Sequence, residues 1–266
     1  MEEKIVIKNL TKEFYDEQRG TVKAVNDLSF TAYAGEIFGL LGPNGAGKTT
    51  TLRMMATLMK PNEGTISING FDTDQDAQNV RKSMGFLSAT TALYPRLSPR
   101  EIITYFANLN GYPEENTKER VEELIKHFNI TKYADTLSEK LSTGMKQITS
   151  IARTIVHDPP VLILDEPSSG LDVIVAQKIH EHIVDLKNQG KTVIFSSHNM
   201  GEVEKVCDRI GVINNGKLLT TGTLNELREI TGKYYMEEIF IYLVQEYESV
   251  LHKGTIKQKE LEKIND

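Results

Sequence analysis

Nine consecutive residues, Gly42 to Thr50 (GPNGAGKTT), carry the densest chemical information in the chain. They satisfy the pattern G-x-x-x-x-G-K-[ST], and they stand directly after an apolar run, Ile37 to Leu41, and before a helix-capable stretch, Thr49 to Met59. Gly42, Gly45 and Gly47 let backbone N–H groups turn inward around phosphate oxygens. Lys48 brings a positive charge to the terminal phosphates, Pro43, Asn44, Ala46 and Thr50 complete the loop, and the helix that follows adds the positive end of its dipole. The Thr49 hydroxyl is the expected ligand for Mg²⁺. An accidental Gly-rich turn would have no reason to carry both flanks.

Far downstream, VLILDEPSSGLD sets Asp165 and Glu166 after a second apolar run, Val161 to Leu164. An isolated Asp-Glu pair after a strand is ordinarily just solvated. In a parallel sheet, however, it faces the same edge as the phosphate loop, where Asp165 is expected to hold the water shell of the metal and Glu166 to point at the terminal phosphate as base or water-orienting group. His198 follows a third run in TVIFSSH and reaches that edge too, placed to sense the terminal phosphate and fix the water with Glu166. The chemistry these residues spell is phosphoryl transfer from a nucleotide to water, with Glu166, His198 and Lys48 as the catalytic set and Thr49 and Asp165 as the metal set.

The elements that must position them can be read from patterning. The three runs, Ile37 to Leu41, Val161 to Leu164 and Thr192 to Phe195, are nearly uniformly apolar, as parallel strands covered on both faces by other elements must be. Lys4 to Leu10, Ala24 to Ala34 and Thr65 to Asn69 alternate instead, which suits antiparallel strands with one wet face. Between these parts lies a helical stretch from about Ser98 to His157. Ser98-Pro99-Arg100-Glu101 offers an N-cap, a first-turn proline and a glutamate that reaches back, so a helix starts there and ends near Gly111. A second runs from about Glu115 to Phe128 with a Glu122 to Lys126 pair on its exposed side, and a third begins near Ser142. Asp172 caps a helix carrying Ala176, Ile179, Ile183 and Leu186, closed by Gly190. Thr223 and Glu226 can cap a short helix, Ile239 to Val244 can pack back on the domain, and the tail after Gln245 reads as polar and loosely held.

Composition removes several classes. With 266 residues, 39% hydrophobic content and a net charge of −6, the chain is neither a stapled miniprotein nor disordered. Its one cysteine, Cys207, makes no internal bridge, which leaves the cytosol as the default compartment. No dense Lys/Arg block marks a nucleic-acid footprint. Apolar runs such as Ile239 to Val244 fall far short of the roughly 20 residues needed to cross a bilayer, and the opening MEEKIVIKNL lacks a secretory signal, so a membrane role has to come through a partner.

The order GPNGAGKTT, LSTGMKQ (Leu141 to Gln147), VLILDEP, SSGLD, SSH resembles the ATP-binding subunit of an ABC transporter, over about Lys4 to Thr223. The signature-type LSTGMKQ, placed just before the helix that leads into VLILDEP, separates this family from kinases and GTPases. The resemblance implies an α/β P-loop NTPase fold with a parallel core sheet, an N-terminal antiparallel β subdomain and a helical subdomain inserted at about 90–157. The ATP-binding domain then spans 1–223, with a helical extension and polar tail over 224–266. It further implies ATP and Mg²⁺ as ligands and a head-to-tail dimer of two copies, in which Ser142 and Gly144 cap the terminal phosphate of ATP held by the other copy. Asp172 corresponds to the aspartate that couples the two sites. Phe14 corresponds to the aromatic that stacks on adenine, with Tyr15 as the neighbouring candidate.

Two departures stand out. Where the family usually has a glutamine after the strand Met84 to Leu87, this chain reads Ser88-Ala89-Thr90-Thr91, with Ala89 about at the glutamine position and the Thr90 or Thr91 hydroxyl as a candidate substitute. The signature carries Thr143 and Met145 where glycine and glutamine are commoner. With LSATTALYPRLSPRE and SSHNMGEVEKVCDRI, these departures are similar to the ATPases of sodium-extruding and drug-resistance exporters that work with a separate permease. That implies a peripheral place at the cytoplasmic face of the membrane, and the helical region between Leu93 and Lys140 as the surface that receives the permease, with Tyr94 and Pro95 beside the gap left by the missing glutamine. Sodium-ion efflux is the first reading. Export of a drug, antimicrobial peptide or lipid is the alternative, and a non-transport regulatory ATPase or a weakly hydrolysing binding module comes from a different class.

Overall fold

Every side chain in Ile37–Leu41, Val161–Asp165 and Thr192–Ser197 is buried, as their unbroken apolar character requires. The computed structural model describes residues 1–18, 20–89 and 92–262, with side chains through Val250. In chain order, a hairpin of β1 (Glu3–Asp16) and β2 (Gly20–Tyr33) leads to β3 (Ile37–Leu41), the phosphate loop and α1 (Lys48–Met55). There follow β4 (Glu63–Ile68), β5 (Phe71–Asp72), α2 (Ala77–Ser83) and β6 (Met84–Leu87), then three helices, α3 (Pro99–Leu109), α4 (Glu114–His127) and α5 (Thr143–Thr154). The remainder alternates β7 (Val161–Asp165), α6 (Val173–Asn188), β8 (Thr192–Ser197), α7 (Met200–Val206), β9 (Arg209–Asn214) and β10 (Lys217–Gly222), and ends in α8 (Leu224–Thr231) and α9 (Met236–Glu262).

Two sheets result. One is antiparallel, in the order β2-β1-β4-β5; the other has the order β10-β9-β3-β8-β7-β6, parallel throughout except for β10 at its edge. Side chains alternate across the parallel sheet with the two-residue period of strands. Phe38, Leu40, Val161, Ile163 and Ile194 face the antiparallel sheet and α1. Ile37, Leu41, Leu162, Leu164, Val193 and Phe195 face the helices. Both faces are covered, and the carboxyl ends of β3, β7 and β8 fall at one edge in register, with Leu41 opposite Ser197 and Asp165 opposite Ser196.

The local signals translate directly into helix ends. Ser98 and Glu101 close a reciprocal capping box at α3, Thr223 and Glu226 do the same at α8, and Asp172 caps α6. Two expectations are corrected. The β1–β2 hairpin extends well past Leu10, through a polar arm whose exposure leaves it without an alternating apolar pattern. Glu122 does not pair with Lys126; the Arg100 guanidinium, which also holds Asp135, takes its carboxylate, because a planar multi-donor group outcompetes an exposed lysine four residues away. After Gln245 the backbone continues α9 to Glu262, and upstream buried Met236 and Ile239 join the same core as α7 and α8.

Candidate functional site

The turn after β3 is tight enough to dictate its glycines. A Cβ on Gly42 would lie 2.3 Å from the Ile213 carbonyl oxygen, and one on Gly47 2.4 Å from that of Ala24. Gly47 also sits at φ +103° and opens α1 without a side-chain cap, so the first-turn N–H groups of the helix are left for a ligand. Lys48, only 4% exposed, donates to the carbonyls of Gly42 at 2.7 Å and Pro43 at 3.2 Å, and its ammonium lies 3.4 Å from Glu166 Oε1. Burial pushes this lysine below its usual range, while Glu166 and then Asp165 oppose the shift.

Across the sheet edge, Asp165 is fully buried. Its Oδ1 accepts from Ser196 Oγ at 2.7 Å and from Thr49 Oγ1 at 3.4 Å, whereas Oδ2 is buried with no hydrogen-bond partner among the described residues. A buried carboxylate oxygen without a partner, beside a threonine hydroxyl, is a donor set suited to a hard cation such as Mg²⁺. Glu166 occupies the left-handed region at φ +49°, a strained backbone held by bonds from its amide to both the carbonyl and the hydroxyl of Ser196. Its Oε2 meets His198 Nδ1 at 2.9 Å. Lys48, Thr49, Asp165, Glu166 and His198 thus form one contact chain around the phosphate loop.

Ser142, Gly144 and Asp172 stand apart from it. Among the described residues, none of them bonds to the loop. Ser142 caps α5 by accepting from the Met145 amide at 3.3 Å, and Asp172 accepts from the amides of Ile174 and Val175. Gly144 packs so close to α6 that a Cβ would lie 2.7 Å from Val175 Cγ1. Phe14 is 42% exposed and pairs with Val22 across the hairpin; Tyr15, 81% exposed, is its successor on the other face of β1. Ala89 is exposed just beyond β6, and Thr90 and Thr91 lie outside the described residues. Between the segment Ala92 to Pro95 and α5 opens a groove of about 420 Å³, lined among others by Leu93, Pro95, Glu139, Thr143 and Lys146.

Two residues of the site were not singled out by sequence reasoning. Ser196 joins Asp165 to Glu166, and Gln147 Nε2 donates to the Pro167 carbonyl at 2.7 Å, tying α5 to the segment after Glu166. Ser196 carried a legible signal: a hydroxyl inside a wholly buried strand has to find a partner.

The arrangement is shared with known proteins. A family model described as ABC transporter matches residues 25–169. The ABC transporter ATP-binding protein NatA of Bacillus subtilis is 39% identical over 238 residues, 89% of this chain and 96% of the relative. The Nod factor export ATP-binding protein I of Burkholderia lata is 38% identical over 225 residues, 85% of this chain and 72% of the relative. Among solved structures, a dimeric post-hydrolysis state of the ATP-binding cassette MJ0796 bound to ADP and Pi superposes with a TM-score of 0.75 at 25% identity, covering 82% of this chain and 98% of the other.

Proposed function

Because the chain belongs to the ABC transporter family as one of its ATP-binding subunits, we propose that its Lys48–Glu166–His198 array hydrolyses ATP to ADP and phosphate in order to drive an exporter. The observation that carries this reading is the hydrogen bond between His198 Nδ1 and Glu166 Oε2, made while Glu166 also faces the Lys48 ammonium. A carboxylate in that position orients a water molecule and takes its proton, and the imidazole holds the carboxylate's other oxygen. The loop amides and Lys48 carry the charge of the phosphates. Thr49 and Asp165 would hold Mg²⁺, which when bound supplies neutralisation of the β and γ oxygens.

The second half of the reading concerns partners. Among the described residues, Ser142 and Gly144 make no hydrogen bond to the chain's own phosphate loop, which supports a role in completing the site of a second copy; so does the dimeric state named for the MJ0796 cassette. Closing two copies around ATP is then a population shift toward the state that binds it better. No helix among the described residues is long and apolar enough to cross a membrane. A separate permease is therefore the proposed membrane partner, received at the groove beside Leu93 and Pro95 on the cytoplasmic face. Residues 1–223 form the ATP-binding domain of this proposal and 224–266 its extension. Phe14 is the proposed adenine contact. The export named for the Burkholderia relative supports an exporter, with sodium ions as the first cargo to assay and drugs, peptides or lipids next.

The test is Glu166→Gln. The variant is expected to bind ATP, to lose about 100-fold or more in turnover, as removal of a general base does, and to accumulate as a dimer in size-exclusion chromatography with ATP. Full turnover would reject Glu166 as the water-orienting group.

A further inference from the structure

Away from the phosphate edge, two imidazoles and a carboxylate meet on the helical side of the sheet. His127 closes α4, and His182 and Asp185, three residues apart, share a face of α6. One candidate ligand atom from each lies within 4.8 Å of the other two. The His127 and His182 rings are 5.6 Å apart between centroids, and both rest against Phe128, at 4.8 and 4.6 Å. Simple packing explains the contacts with Phe128. It does not explain why Nε2 of His127 is buried with no hydrogen-bond partner among the described residues.

We propose that His127, His182 and Asp185 bind a divalent transition-metal ion of the zinc class and thereby fasten α4 to α6. Two nitrogen donors and one carboxylate suit Zn²⁺ with water in the fourth position, whereas Mg²⁺ prefers oxygen donors throughout. Bonds of about 2.0–2.2 Å set tetrahedral ligand atoms roughly 3.3–3.6 Å apart. Closing from at most 4.8 Å is therefore a side-chain adjustment. The site lies apart from the nucleotide chemistry and does not depend on it.

The experiment is an equilibrium titration of the full chain with Zn²⁺, after chelator treatment and in excess Mg²⁺, beside His127→Gln, His182→Gln and Asp185→Asn. One Zn²⁺ per chain is expected, weakened at least about tenfold by each substitution, since even outer partners of a metal site act on that scale. The thermal midpoint should rise with Zn²⁺ in the parent chain and stay fixed in the variants. Co²⁺ in place of Zn²⁺ should show the visible bands of a four-coordinate site. Circular dichroism checks folding, and Asp185→Asn, at an exposed position, keeps the test valid should a histidine variant not fold. Absence of saturable Zn²⁺ binding, or unchanged affinity in Asp185→Asn, would overturn the proposal.

Discussion

Ser196→Ala removes one hydroxyl that serves two neighbours. Its oxygen donates to Asp165 Oδ1 at 2.7 Å and accepts from the Glu166 amide at 3.1 Å, and both Ser196 and Asp165 are fully buried, so water does not step in. A hydrogen bond to a charged group contributes about 1.5–3 kcal/mol. The Glu166 amide keeps the Ser196 carbonyl at 3.2 Å, so that end of the loss is small. The expected destabilisation is therefore about 2–3 kcal/mol, a roughly 30- to 150-fold fall in the folded-to-unfolded ratio. Urea unfolding without nucleotide, followed by circular dichroism, should show a lower midpoint at unchanged slope. Turnover should fall as well, because the left-handed backbone of Glu166 loses a support. Ser197→Ala is the comparison: its hydroxyl donates to Glu202 at 2.8 Å and touches neither acid, so it should cost stability with turnover retained. A Ser196→Ala chain within about 0.5 kcal/mol of the parent, the ordinary surface range, and turning over normally would refute the reasoning.

Gly144→Ala should cost about 1–3 kcal/mol by overpacking against Val175, whose branched side chain is stiff on a helix; thermal unfolding should show most of the loss recovered in the Gly144→Ala, Val175→Ala double variant, and an absence of recovery would count against the packing explanation. His157 governs a pH effect. Burial holds its imidazole below the usual range, aided by Lys191 and Arg120 and opposed by the Met84 carbonyl and Asp158. The unfolded chain, titrating near about 6.5, then binds the proton more readily than the folded one. Stability from this residue is full above that pH and is lost as pH falls from about 6.5 toward the folded value. Urea midpoints taken across that window should flatten in His157→Gln, and an unaltered slope would assign the effect elsewhere.

Much of this is legible in the sequence alone, and unevenly so. The three buried strands announced themselves because a strand covered on both faces has no polar period, and Ser98, Thr223 and Asp172 marked helix starts because their side chains satisfy amides that lie close in sequence. Lys48, Thr49, Asp165, Glu166 and His198 could be placed at one edge by the parallel order alone. What patterning could not supply were contacts between residues distant in sequence. Arg100 taking Glu122 from Lys126, Gln147 reaching the Pro167 carbonyl, and His127 meeting His182 depend on how helices lie against one another. The polar arm of the β1–β2 hairpin was hidden for the opposite reason: held by backbone pairing and exposed at its tip, it needs no apolar alternation.

The contacts of Lys48 have a consequence for how the two halves of the site are joined. Its ammonium meets two carbonyls of the loop and the carboxylate of Glu166 at once. One cation therefore pins the turn after β3 to the segment after β7, and a displacement of either is felt at the other, as two leaves share a hinge pin.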